Sequence, residues 1–143
     1  MKIDLHCHTY VSKDSLMKFE TIIRRVQARG LDAIAITDHN KIDGALAFAK
    51  VAPFPVIIGE EILTSEGEII GYFLTEWIPR GLSPEETVRR IHEQGGLVNI
   101  PHPFDSIRHS AIRREALMRI VGEVDMLEVL NARIIKPSEN EQA

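Results

Sequence analysis

Several short polar strings interrupt the apolar runs of this sequence, and each carries groups that bind cations or move protons. The first is His6-Cys7-His8. Residues two apart in a strand point to the same side, so both imidazoles can reach one cation. Asp4, two residues earlier, is placed to orient one of those rings. Thr37-Asp38-His39 adds a carboxylate and an imidazole, and Glu60-Glu61 adds two adjacent acids after an apolar run. Such a pair suffers repulsion and desolvation unless cations or water compensate. His102 follows Ile100-Pro101, and Glu128 and Asn131 close the last apolar run. Together these residues suit a multinuclear site with mixed nitrogen and oxygen ligands, of the kind that holds Zn, Mn or Fe.

The elements that must position them alternate. Strands are expected at Lys2–Leu5, Ala33–Thr37, Pro55–Gly59, Glu68–Leu74, Leu97–Ile100 and Asp125–Leu130. Helices are expected at Phe19–Ala28, stopped by Gly30, and at Gly44–Val51, capped by Asp43. A third opens with Ser83 as N-cap, Pro84 at N1 and Glu86 closing a capping box, and ends at Gly95-Gly96. A fourth covers Ile112–Val121. This βαβα order implies an α/β fold with a largely parallel sheet, open or barrel-like. Ligands in such sheets sit at the C-terminal ends of strands. Four of the six histidines fall at those ends, and solvation alone gives no reason to place them there.

At 143 residues one domain over 1–143 is the default. A composition 44% hydrophobic and 27% charged excludes a disordered, collagenous or coiled-coil chain. No apolar run approaches the ~18–20 residues of a membrane helix, and the N-terminus lacks a signal peptide's apolar stretch. With a single cysteine no internal disulfide forms, so a cytoplasmic location is expected. A net charge of −4 draws the domain to neither nucleic acid nor anionic lipid, yet leaves a nucleotide substrate open because bound metals can set a site's local charge.

Asp4-Leu5-His6-Cys7-His8-Thr9, Thr37-Asp38-His39-Asn40, Gly59-Glu60-Glu61-Ile62 and His102-Pro103-Phe104 resemble, in order, the motifs of the PHP (polymerase and histidinol phosphatase) superfamily. The resemblance implies a distorted (β/α)7 TIM-like barrel that binds two or three divalent metals (Zn, Mn or Fe) and hydrolyses phosphate esters. It makes His6 and His8 the pair on one metal, places Asp14 and His39 on another, and selects Glu61 over Glu60 as the bridging carboxylate. Glu68 stands where many members have a histidine ligand, and His102 completes the set. Asn131 corresponds to a residue that shapes the site. The family's later G-S-D-A-H motif has no counterpart, so the chain is expected to be C-terminally truncated, with about five barrel strands plus one extra strand. The sheet edge this exposes makes self-association an expectation.

The implied reaction is hydrolysis of a phosphomonoester or nucleotide by a metal-activated hydroxide, without a Ser or Cys nucleophile. Asp38 is a candidate to orient a ligand or transfer a proton, and Arg108 and Arg133 are candidates to hold phosphate oxygens. Cys7 reads as a small buried hydrophobe, Trp77 as packing, His92 and His109 as surface, and the arginine pairs 24–25, 89–90 and 113–114 as outer helix faces. The alternatives are a catalytically impaired metal-binding domain with a structural or regulatory role, a nuclease or proofreading domain acting on nucleic-acid ends, and an amide-cleaving metallohydrolase. No membrane partner is expected.

Overall fold

Successive elements are β1 (Ile3–Cys7), α1 (Phe19–Arg29), β2 (Ala33–Ile36), α2 (Asp43–Ala49), β3 (Val56–Thr64), β4 (Gly67–Tyr72), α3 (Pro84–Glu93), β5 (Leu97–Ile100), α4 (Arg114–Ile120) and β6 (Met126–Leu127). The structure is a computed structural model that describes residues 1–103 and 110–129. Arg108, His109, Asn131 and Arg133 lie outside the described residues, as does Leu130 at the end of the last expected strand.

Among the described residues six strands form one sheet in chain order. β1, β2 and β3 run parallel, as do β5 and β6. The sheet is largely parallel as expected, and the exception is the extra strand β4, which runs antiparallel to both neighbours. The cause is local. β3 does not stop at Gly59 but continues to Thr64, with Glu60 and Glu61 paired to Gly71 and Ile70 of β4. A tight turn then reverses the chain at Gly67, whose φ of +130° and closeness to the Ile112 backbone leave no room for a Cβ.

The sheet curls into a half-barrel. Ile22 and Val26 of α1 pack with Ile34 and Ile36 of β2 and with Ala45 and Phe48 of α2. A second group joins Val88 and Ile91 of α3 and Ala116, Leu117 and Ile120 of α4 to Ile62, Ile69, Val98 and Ile100. The third contains only sheet residues, Ala35, Ile70 and Tyr72, with Ile57 and Met126 against them, and so marks the concave face. All of β2 is buried, as two covered faces require. Each fully buried aliphatic or aromatic side chain contributes about 1.5–3 kcal/mol.

Helix ends follow local chemistry with two corrections. Gly30 adopts the left-handed conformation and closes α1 by donating its N–H to Gln27 and Val26 carbonyls. Ser83 accepts from the Glu86 N–H and Pro84 fills N1. The box stays half-made, because the Glu86 carboxylate turns to Arg89 and Arg90. Asp43 is the first residue of α2 rather than its cap, and Ile42 precedes it without a capping side chain. Trp77, expected to pack, is 58% exposed. Its neighbour Ile78 takes the buried place and donates its N–H to Glu60. Cys7 packs with the α1–α2 core, where burial pushes its thiol up to about 12.

Candidate metal centre

The loop after β1 and the end of β2 are fastened together by one buried carboxylate. Asp38 Oδ1 accepts from the Thr9 N–H at 2.7 Å and the Ser12 hydroxyl at 2.8 Å, and Oδ2 accepts from the Thr9 hydroxyl at 2.7 Å. Ser12 in turn accepts from the His39 N–H at 2.9 Å. Asp38 therefore positions the segments bearing His8, Asp14 and His39. The second residue of α2 must be a glycine beside it: a Cβ on Gly44 would lie 1.9 Å from Asp38 Oδ2.

Above this anchor the expected ligands converge. His8 lies just past β1, whose pairing with β2 is irregular between Asp4 and Cys7, so simple strand alternation does not place it. Even so, Nε2 of His6 and Nε2 of His8 are 3.0 Å apart, and they lie 3.4 and 3.1 Å from Glu61 Oε2. Three donors about 2.0–2.2 Å from a common cation stand roughly 3.0–3.5 Å apart, so this triangle has the size of a coordination face. Asp14 spans His8 Nδ1 at 3.7 Å and His39 Nε2 at 3.5 Å. His39 Nδ1 lies 3.3 Å from Glu61 and 3.6 Å from Glu68. His102 Nε2 lies 3.2 Å from Glu61 Oε1 and 3.5 Å from Glu68 Oε2. Three overlapping donor groups result: His6–His8–Glu61, His8–Asp14–His39 and His39–Glu61–Glu68.

The electrostatics show what is missing. Glu61 Oε2 is buried and near three imidazoles, yet none of them is aligned to hydrogen-bond it. Glu68 Oε2, His8 Nδ1 and His102 Nδ1 are also buried without hydrogen-bond partners. Orphaned donors and acceptors at this density are costly unless something else satisfies them. Burial disfavours the His6 cation, but Glu128 and Glu61 outweigh it and carry its pKa up to about 10. Burial also opposes the Glu61 charge, and His102, His6 and His8 still hold that carboxyl well below the usual range. Glu68 is pushed up by burial and by Glu61 beside it. Divalent cations fit this set: anionic oxygens, imidazoles and unfilled lone pairs directed at shared points.

All seven residues expected as ligands, His6, His8, Asp14, His39, Glu61, Glu68 and His102, meet in this one cluster. Glu60 does not. Strand alternation turns it to the other side of β3, where it accepts from Ile78 and burial pushes its carboxyl up to about 7. Asp4 caps the His6 backbone N–H at 3.2 Å rather than an imidazole. That ring instead faces Glu128, with Nδ1 3.1 Å from Oε1. Sequence reasoning passed over Thr9, Ser12 and Gly44 as well. The only signals for them were two hydroxyls after an H-x-H string and a glycine six residues after Asp38.

A curled α/β half-barrel with histidines and carboxylates gathered at its strand ends has the architecture of the TIM-like metal-dependent hydrolases. Within that class the chain belongs to the PHP domain family, whose model matches residues 4–95. It is 46% identical over 120 residues to an uncharacterized protein of Methanocaldococcus jannaschii, an alignment covering 75% of this chain and 70% of that protein. A second uncharacterized protein from the same organism is 40% identical over 93% of this chain, and the chain spans about half of it (54%). A 5'-3' exoribonuclease of Haemophilus influenzae is 27% identical over 75% of this chain and 44% of its own length. Among solved structures, a Bifidobacterium adolescentis protein proposed to be a metal-dependent phosphoesterase superposes with a TM-score of 0.73 at 16% identity, over 99% of this chain and 81% of that one. A Chromobacterium violaceum amidohydrolase, with bound sulfate and no metal, gives 0.69 at 17% identity over the same shares. At those identities the likeness is one of fold.

Proposed function

We propose that this chain, acting as one PHP-type unit over residues 1–143, is a divalent-metal-dependent phosphoesterase whose substrate is a phosphomonoester or nucleotide. The observation that carries this reading is Glu61, a buried carboxylate whose Oε2 lies 3.1–3.4 Å from three imidazoles without a hydrogen bond from any of them. Two or three divalent cations (Zn, Mn or Fe) would be held by His6, His8, Asp14, His39, Glu61, Glu68 and His102. When bound, such ions acidify water and neutralise phosphoryl oxygens. The protein's own work is then to hold them in place. Glu61 offers one oxygen toward His6, His8 and His39 and the other toward His102, so it ties the two halves of the site together. Asp38 holds the loop that carries Asp14, and Cys7 and Ser12 are engaged elsewhere and offer no competing nucleophile. Arg108 and Arg133 remain our candidates for phosphate binding on sequence grounds.

The test is metal content per chain by elemental mass spectrometry after reconstitution with Mn, Fe and Zn, with turnover of p-nitrophenyl phosphate and of nucleoside monophosphates. Two or more ions, lost with His8→Ala or Glu61→Ala together with turnover, are expected. A folded protein that retains no metal overturns the reading. Tight metal without turnover would favour a structural or regulatory domain. The likeness to an exoribonuclease favours one second reading, hydrolysis at RNA ends. A 5'-phosphorylated oligoribonucleotide preferred over small phosphates would select it.

A further inference from the structure

We infer that Glu128 is a positioning residue that clasps the two edges of the half-barrel around the metal centre. Among the described residues β1 and β6 are the opposite edge strands of the sheet, and Glu128 follows β6 directly. Its backbone is fixed first: its N–H donates to the Ile100 carbonyl at 3.0 Å, continuing the β5–β6 ladder. Its two carboxylate oxygens then take different donors. Oε1 lies 3.1 Å from His6 Nδ1 on β1, and Oε2 accepts from the His102 N–H at 2.7 Å. One side chain thereby touches the earliest and the latest of the candidate ligands, residues 6 and 102.

Both contacts constrain what the ligands can do. An imidazole that gives Nδ1–H to a carboxylate keeps its Nε2 lone pair for a cation, and the His6 Nε2 is the atom facing His8 and Glu61. His102 has φ of +32°, a conformation that a side-chain-bearing residue holds only when its surroundings over-determine it. The Glu128 oxygen on its N–H supplies that constraint, and with it the direction of the ring toward Glu61 and Glu68. Tyr72 adds a parallel tie on the concave face, donating to the Leu5 carbonyl at 2.9 Å while accepting from Asn99 at 3.0 Å. Tyr72 braces only the strands; Glu128 reaches the ligands themselves.

The consequence for metal affinity rests on the phosphoesterase reading, whereas the clasp itself does not. The experiment compares the full chain with its Glu128→Ala and Glu128→Gln variants in two measurements. The first is hydrogen exchange at the His102 amide in metal-free protein, and the second is Zn(II) affinity by competition with a chromogenic chelator. Glutamine keeps the size but has one acceptor oxygen for two donors, so it should hold one contact and lose the other. We expect faster exchange at His102 in the alanine variant and a 10- to 100-fold loss of Zn(II) affinity, the usual effect of removing a ligand's carboxylate partner. The glutamine variant, the better choice if alanine fails to fold, should fall between it and the parent. Unchanged His102 exchange in both variants overturns the clasp, and unchanged Zn(II) affinity overturns its role at the centre. If the parent chain binds none of Zn(II), Mn(II) or Fe(II), the phosphoesterase reading fails and the exchange result alone decides the clasp.

Discussion

On the outer surface of α3 and α4, every acid near an arginine uses it. Glu86 accepts from Arg89 and Arg90, Glu93 pairs with Arg89, and Arg119 lies across Glu85 and Glu66. At the concave end of the sheet, Glu61 and Glu68 have imidazoles as their only cationic partners among the described residues, with no lysine or arginine in ion-pair reach. The outer charges are neutralised by the chain and exposed to water, so each pair contributes little. The inner acids are buried with polar atoms left over. A folded chain tolerates that where the compensating charge arrives from outside, which is why the inner cluster is the site and the outer one is surface.

Stripping metal should break the contrast most strongly. If the inner charges are balanced by bound ions, chelation of the loaded protein removes about 4 kcal/mol per site held at a thousand times its Kd. The check is the melting temperature with and without a chelator, and an unchanged value would make the inner cluster self-sufficient. Gly44→Ala comes next, since its Cβ meets Asp38 Oδ2, and that atom cannot retreat without losing Thr9. A loss of roughly 2–3 kcal/mol in urea denaturation is expected, the cost of overpacking a buried site.

The effects on the outer side should be smaller. Asp125 is held below the usual carboxylate range by the Val98 N–H and by His92. A depressed folded-state pKa stabilises above the unfolded value near 3.9, and that contribution fades as pH falls through the folded value. Asp125→Asn should therefore cost up to about 0.5 kcal/mol at pH 7, discounted for exposure, and less at pH 2. Thermal melts at the two pH values read the difference. Smallest is Glu86→Gln, whose carboxyl is held down at about 2 by Arg89 and Arg90 on the half-exposed face of α3. It should shift the melting temperature slightly in low salt and not at all in 1 M NaCl. A large, salt-independent shift would mean that the outer pairs are structural after all.

Much of the fold was legible because it is written in local chemistry. The apolar run Ala33–Ile36, the Ser83-Pro84 start and the Gly30 stop each act within a few residues. The reversal at β4 was not legible as a direction. Strand runs show period and burial but not which way they pair, and the short turn from Ser65 to Gly67 was the only hint that no crossover helix intervenes. Trp77 was misjudged for a similar reason, because hydrophobicity does not say which of two neighbours, Trp77 or Ile78, takes the single buried place.

The four histidines and the Glu60-Glu61 pair were legible in the sequence as groups at strand ends, which converge because a sheet brings its ends together wherever they lie in the chain, whereas Asp14, Glu68 and the choice of Glu61 over Glu60 came from the family resemblance. What surrounds them was decided by tertiary structure. That Asp38 anchors a loop and that Glu128 rather than Asp4 serves the His6 ring depend on contacts between distant segments. Glu128 lies 122 positions from His6, and no local pattern encodes that pairing. It exists because the half-barrel curls far enough to bring its opposite edges within reach of one carboxylate.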